Sequence, residues 1–97
     1  MTKLVKLIKS PKSEKKWRAV FQTDAGREKN VDFGDSKMED YTQHHDKELR
    51  ERYRSRHAKD LKTQDPTRAG FLSYYVLWGD STSLQDNLAS YRRKFNL

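Results

Sequence analysis

The sequence predicts an α+β domain: a small N-terminal antiparallel β-sheet of about three strands, packed against about three C-terminal helices. Three observations carry this. Residues 3–33 fall into short runs rich in β-branched and aromatic residues, punctuated by Pro11, Asp24-Ala25-Gly26 and Gly34. Residues 46–97 place apolar side chains at helical spacing. Strands come first and helices after, which is not the alternation of a doubly wound fold. At 97 residues the chain makes a single small basic domain over 1–97, with strands within 3–33 and helices within 46–97.

The run Lys3-Leu4-Val5-Lys6-Leu7-Ile8-Lys9 reads as the first strand, and Ser10 to Lys16 as a polar loop. Residues 17–23 alternate, with Trp17, Ala19 and Phe21 on one face and Arg18, Val20 and Gln22 on the other. Asp24-Ala25-Gly26 is a turn with glycine available for positive φ. Residues 27–33 form the third strand, with Lys29, Val31 and Phe33 on one face and Gly34 ending it. Strands two and three make a hairpin. The first strand completes the sheet, since two strands alone are marginal in water.

Residues 35–45 read as a connector anchored by Met38 and Tyr41. A helix over 46–61 follows, with Leu49, Tyr53, His57 and Leu61 as its inner stripe. Asp65-Pro66 signals the next helix, an acidic N-cap before a first-turn proline, running to Trp78 and stopped by Gly79. Its apolar residues lie nearly all round, as in a central helix, and Gly70 and Ser73 allow a neighbour to approach closely. The last helix starts at Ser83 with Asp86 three residues on, resembling a capping box. Leu84, Leu88, Tyr91 and Phe95 form its buried stripe.

Composition limits what such a domain can do. Hydrophobic residues make up 33% and charged residues 36%, a balance that leans toward disorder. Two tryptophans, five tyrosines and four phenylalanines argue back, because each ring buries a large area. With no cysteine there is no disulfide and no thiolate metal site. No apolar run approaches the roughly 20 residues of a transmembrane helix. Lys3, Lys6 and Lys9 interrupt the only N-terminal apolar stretch, so no secretory leader is expected.

The formal net charge is +7 and the isoelectric point about 9.7. Residues 1–37 carry a net +5, residues 38–65 balance, and residues 66–97 carry +2. The excess therefore sits in the sheet and at the C-terminus. The arginine-dense helix is expected to neutralise itself through i,i+4 pairs, Asp46–Arg50, Lys47–Glu51 and Glu48–Arg52, leaving its later cations without a helical acid. A positive patch would form if the N-terminal lysines and Arg92-Arg93-Lys94 converge, attracting nucleic acid, an anionic membrane surface or an acidic protein. The residues expected to meet a partner or nucleic acid are Lys6, Lys9, Lys12, Lys15, Lys16, Arg18, Arg54, Arg56, Lys59, Arg92, Arg93 and Lys94. Trp17 and Phe21 are expected in the core rather than as stacking platforms.

Signals for chemistry are weak. His44, His45 and His57, with Asp40 and Asp46, lack the spacing of a closed metal site, so no metal is expected. Ser36, Ser55 and Ser73 lack a nucleophile elbow. The four glycines form no phosphate loop. No cofactor and no enzymatic activity are expected. Tyr41, His45 and His57 are expected to form a polar cluster tying the connector to the first helix.

The residues Phe33-Gly34, Asp40-Tyr41-Thr42, His45-Asp46, Arg50, Tyr53 and Arg56-His57 make a scattered pattern. It continues in Asp65-Pro66, Ala69-Gly70, Leu72-Ser73, Leu77-Trp78, Ser83, Tyr91 and Phe95. This resembles a small uncharacterised protein family encoded mainly by large nucleocytoplasmic DNA viruses of algae and protists, over roughly residues 16–97. The resemblance implies no catalytic residues. It implies a viral setting, in the virion and in the host cytoplasm or nucleus during assembly, and two roles. One is a minor capsid protein held to larger acidic shell proteins. The alternative is a sequence-nonspecific nucleic-acid-binding protein that accompanies packaged DNA.

Overall fold

The structure, a computed structural model, describes residues 2–97. Strands β1 (Lys3–Lys9), β2 (Lys15–Gln22) and β3 (Glu28–Asp35) form an antiparallel sheet in the order β1-β2-β3. Four α-helical segments follow: α1 (Tyr41–His44), α2 (Lys47–His57), α3 (Ala69–Leu72) and α4 (Leu84–Phe95). A 3₁₀ segment, Ala58–Thr63, extends α2, and a π-helical segment, Ser73–Leu77, extends α3. The α+β order holds. The fourth α-helix arises because part of the connector coils: Asp40 accepts the Thr42 N–H at 2.9 Å while Gln43 Oε1 accepts the Asp40 N–H at 3.0 Å.

In β2 the alternation behaves as expected at Ala19 and Phe21, both fully buried, with Phe33 beside them. Val20, expected on the polar face, is buried as well, between Lys6 and Asn30 on the flanking strands. The register slips between Leu4 and Lys6, a bulge that lets Leu4 and Leu7 both pack on the core. Gly34 does not end β3. It sits inside the strand at φ +85, and a Cβ there would lie 2.8 Å from Leu77 Cδ1. The sheet thus runs to Asp35, beyond the expected 33.

The core lies between the sheet and the helices: Phe21 and Phe33 from the strands meet Phe71, Leu72, Val76, Leu77, Leu88 and Tyr91. The segment 69–78 is the central helix that its all-round apolarity predicted, but it begins later than Asp65-Pro66 implied. The Asp65 side chain instead closes a local turn on Thr67, accepting from its N–H at 3.0 Å and its hydroxyl at 2.6 Å. Trp78 N–H bonds to Ser73 O at 3.0 Å, which closes the wide π turn before Gly79. Gly70 does allow close approach, for a Cβ there would stand 3.0 Å from Asp60 Cβ.

Helix α2 departs most from expectation. It ends at His57 rather than 61 and buries no residue fully. Leu49 is 41% exposed and does not line an inner stripe, and Met38 is 46% exposed at the rim of a small cavity rather than a buried anchor, whereas Tyr41 is buried. The inward positions are Arg50, Tyr53, Arg54 and His57, at spacings of 3, 1 and 3. Tyr53 stacks on Trp78, ring centroids 4.3 Å apart and nearly parallel, and His57 stacks on Tyr53 at 4.1 Å. Arg54 Nε donates to Trp78 O at 2.8 Å, and Arg50 reaches Gly79 O and Asp80 O at 3.4 and 3.3 Å. Guanidinium groups satisfy carbonyls that the end of the π segment leaves open.

Of the expected helical ion pairs only Glu48–Arg52 is seen, at 3.8 Å. Asp46 caps α2 through Glu48 and Leu49 N–H, and Arg50 pairs with Glu51 at 3.0 Å while lying over the Tyr41 ring. The expected Tyr41–His45–His57 cluster does not form. His45 takes the left-handed cap position after α1, at φ 58. His44 turns inward instead, its ring 5.3 Å from Trp78, with Nδ1 accepting the Asp46 N–H at 2.9 Å.

At the other end of the helical layer, Ser83 caps α4 as predicted by accepting the Asp86 N–H at 3.2 Å. Asn87, not singled out in the sequence, is buried at 4% exposure. Its Nδ2 donates to Val76 O and Ser81 O at 2.9 and 2.8 Å, and its Oδ1 accepts the Ser81 N–H at 3.0 Å. One side chain thereby fastens the loop between the π segment and α4. A Cβ on Gly79 would stand 2.8 Å from Asn87 and collide with Tyr75 O, so this loop passes close to the helix it leaves.

Candidate binding cleft

The cations divide by what they touch. Arg18 grips Asp32 across the sheet in a two-pronged ion pair, Nε to Oδ1 at 2.9 Å and Nη2 to Oδ2 at 3.0 Å. That hydrogen bonding, aided by Ser10 and opposed by burial, holds the Asp32 carboxyl down to about 2. Lys16 Nζ lies 2.7 Å from Asp40 Oδ2 and 2.5 Å from Gln43 Oε1, tying β2 to α1. Arg54 is taken up by Trp78 O and Asp80, and Arg92 donates to Val5 O at 3.3 Å. Lys16, Arg18 and Arg54, expected as partner contacts, are therefore structural. Their charge is spent inside the fold.

Arg56 and Lys59 remain exposed along α2 and the 3₁₀ segment. Lys6 is exposed on β1. Arg93 donates to Ser90, and Lys94 lies over the Tyr75 ring at 5.4 Å. The two basic clusters do not converge into one patch. Leu4 N–H bonds to Leu97 O, so the C-terminus docks at the start of β1, while the lysine loop follows its end. Val5 and Lys9 are four residues apart on an extended strand, about 13 Å.

What the fold does assemble is a cleft at the β1–β2 loop, about 500 Å³ in volume. Lys9, Lys12, Lys15 and Lys16 line it, with Pro11 and Trp17. Lys12 lies 3.7 Å from Asp32 with its side chain 57% exposed, a loose pair. Among the described residues, Lys9 and Lys15 have no carboxylate within ion-pair distance. Trp17 is half-buried and packs partly on the core, in register between Lys9 and Phe33. The expectation of Trp17 as a core ring is met on one side only.

The other polar groups of the cleft are already engaged. Ser10 donates to Asp32 at 2.9 Å, Ser36 to Ser13 O at 2.8 Å, and Thr42 to Asp40. A smaller cavity of about 190 Å³ is lined by Lys16, Tyr53, His57, Ser73 and Trp78. There His57 Nδ1 lies 3.1 Å from Asp60 Oδ2, and burial raises the Tyr53 phenol above its ordinary pKa. Among the described residues no group of three or more His, Asp and Glu is placed to hold a metal ion. Among them, too, no helix is long and apolar enough to cross a membrane.

Residues 5–57 match a family model described as a family of unknown function, DUF5754. The chain belongs to DUF5754. The matched span takes in almost the whole sheet, α1, α2 and the lysine cleft, and stops before the π segment and α4. No curated protein and no solved structure matches this DUF5754 chain.

Proposed function

We propose that this DUF5754 protein is a non-enzymatic interaction protein that binds an acidic protein surface through its lysine cleft. The observation that carries the proposal is the gathering of Lys9, Lys12 and Lys15 around one concavity while Lys16, Arg18 and Arg54 are neutralised in place. The protein commits three of its twelve basic candidates to ion pairs within its own frame and leaves a compact group of lysines at the cleft. The resemblance to a family of large DNA viruses supports a setting in the virion. There the partner is an acidic face of a larger shell protein, and this chain is a minor capsid component.

Compactness favours a protein partner over packaged DNA. A duplex presents phosphates continuously, and a non-specific binder tracks it with a stripe of cations. Here the free cations are split between the two ends of β1, and the outer face of α2 interleaves Glu48 and Glu51 with Arg52 and Arg56.

The test measures binding to poly-L-glutamate and to duplex DNA across a salt series. Glutamate polymer should bind and weaken with salt, and K9E/K12E/K15E should lose at least tenfold in affinity. Tighter binding to duplex DNA, with log affinity falling by about 0.9 per phosphate neutralised against log salt, would replace this reading with the nucleic-acid one. For the viral setting, mass spectrometry of purified particles stripped of DNA should detect the chain; its absence from particles refutes a capsid role.

A further inference from the structure

We infer that the lysine cleft is a two-part receptor for an extended acidic peptide segment bearing one large apolar or aromatic residue. This deepens the proposal above and rests on its acidic protein partner. The cleft offers a ligand two kinds of surface. Lys9 and Lys15 supply positive charge with no acidic partner among the described residues, Lys12 adds a largely exposed ammonium only loosely paired with Asp32, and Pro11 and Trp17 supply apolar area between them. The remaining hydroxyls and the Asp40 carboxylate bond within the protein, so few neutral donors are aimed outward.

Each alternative occupant leaves part of this surface unused. A free phosphate needs several fixed donors converging on one point, and lysine ammonium groups on flexible stems are a poor cage for it. A polymer of acids alone answers the lysines but leaves the indole and the proline ring wet. An acidic segment with a phenylalanine or leucine in its middle covers both, its ring on Trp17 and its carboxylates on the lysines. The site is also preformed. Trp17 belongs to the central strand, held on both sides by Lys9 and Phe33 in register, and Lys16 is locked to Asp40 and Gln43 on the cleft wall. Little ordering is required of the protein on binding, which leaves more of the contact energy as affinity.

The experiment uses three fluorescently labelled nine-residue peptides: all glutamate, glutamate with a central phenylalanine, and glutamate with a central serine. The phenylalanine peptide should bind about tenfold tighter than the serine peptide, which corresponds to about 1.4 kcal/mol. W17A should erase that advantage while leaving the shared, salt-sensitive affinity, and K12E/K15E should weaken all three. Because Trp17 also packs on the core, the same comparison is made on the intact protein by the two indole N–H resonances. The phenylalanine peptide should shift the Trp17 resonance and leave that of the buried Trp78 in place. Equal affinity of the phenylalanine and serine peptides, with an unmoved Trp17 resonance, overturns the two-part receptor while the acidic-partner proposal survives. Failure of every peptide to bind at low salt removes both. An equal or larger Trp17 shift with a single-stranded thymidine oligomer assigns the cleft to nucleic acid instead.

Discussion

Replacing Asn87 with alanine tests how the second half of the chain is held together. The side chain makes three hydrogen bonds, to Val76 O, to Ser81 O and from Ser81 N–H, at 2.8–3.0 Å in a site only 4% exposed. A net hydrogen bond contributes about 0.5–1.5 kcal/mol, and a buried group left without its partner costs more than the average. Three bonds, whose orphaned partners are one carbonyl of the π segment, Val76 O, and both backbone groups of Ser81 in the loop, come to about 2–4 kcal/mol. A domain of this size has roughly 5–15 kcal/mol in all. At about 4–8 °C per kcal/mol, N87A should melt roughly 10–25 °C below the wild type. Circular dichroism during heating and urea titration both read this. N87D, which keeps the acceptor but loses both donors, should be no better. S81A is the contrast, because Asn87 bonds only the Ser81 backbone; it gives up the bond its hydroxyl accepts from Ser83 N–H and a long, exposed contact to Asp86, and should cost less. If N87A loses under about 1 kcal/mol, the loop is not fastened by this side chain and the account of the π segment's end is wrong.

Four further outcomes are expected. G79A forces a methyl group into Tyr75 O and Asn87, both fixed, and should cost about 3 kcal/mol or more, seen as loss of the cooperative thermal transition. Asp32, held near 2 in the folded state against 3.8 when free, stabilises the protein above pH 4, and that contribution fades as pH falls toward 2; D32N should flatten the stability curve over this window, and an unchanged acid limb would contradict the Arg18–Asp32 account. Tyr91 is raised above its ordinary value, chiefly by burial, and donates to Pro66 O; stability should therefore decline as pH rises past about 10, where the unfolded chain begins to lose the proton, and Y91F should remove that slope. H57A removes the ring stacked on Tyr53 and its contact with Asp60, and should lower stability by about 1 kcal/mol, with an unchanged melting temperature refuting a structural role.

The strands were legible because a sheet half covered by helices writes its period into the chain. Trp17, Ala19 and Phe21 alternate with Arg18, Val20 and Gln22, of which only Val20 is apolar, and Asp24-Ala25-Gly26 supplies the turn, with Gly26 at φ +78. Helix α4 was legible for the same reason, with a cap at Ser83 and a stripe of Leu88 and Tyr91. Helix α2 was not, because its inner stripe carries arginines rather than leucine. A pattern of apolar residues cannot disclose an arginine that turns inward to satisfy a carbonyl, since the carbonyl belongs to a segment some 25 residues away. The Asp65-Pro66 signal misled for a local reason: a hydroxyl at Thr67 competes for the same carboxylate and closes a turn first. At the cleft, Lys9, Lys12 and Lys15 were named from charge alone, but nothing in the sequence separated them from Lys16 and Arg18.

The sequence by itself determined the α+β order, the three-strand sheet, the aromatic core and the basic balance of charge, because these follow from periodicity, turn residues and composition, which are local. Only the tertiary structure decided which cations are free. A lysine is neutralised or available according to the carboxylate that packing brings beside it, and Asp40 meets Lys16 across 24 residues of chain while Lys9 and Lys15 meet none among the described residues. The same holds for the inward arginines of α2, for Asn87, and for the exposed side of Trp17: each is defined by neighbours that the linear order does not place together.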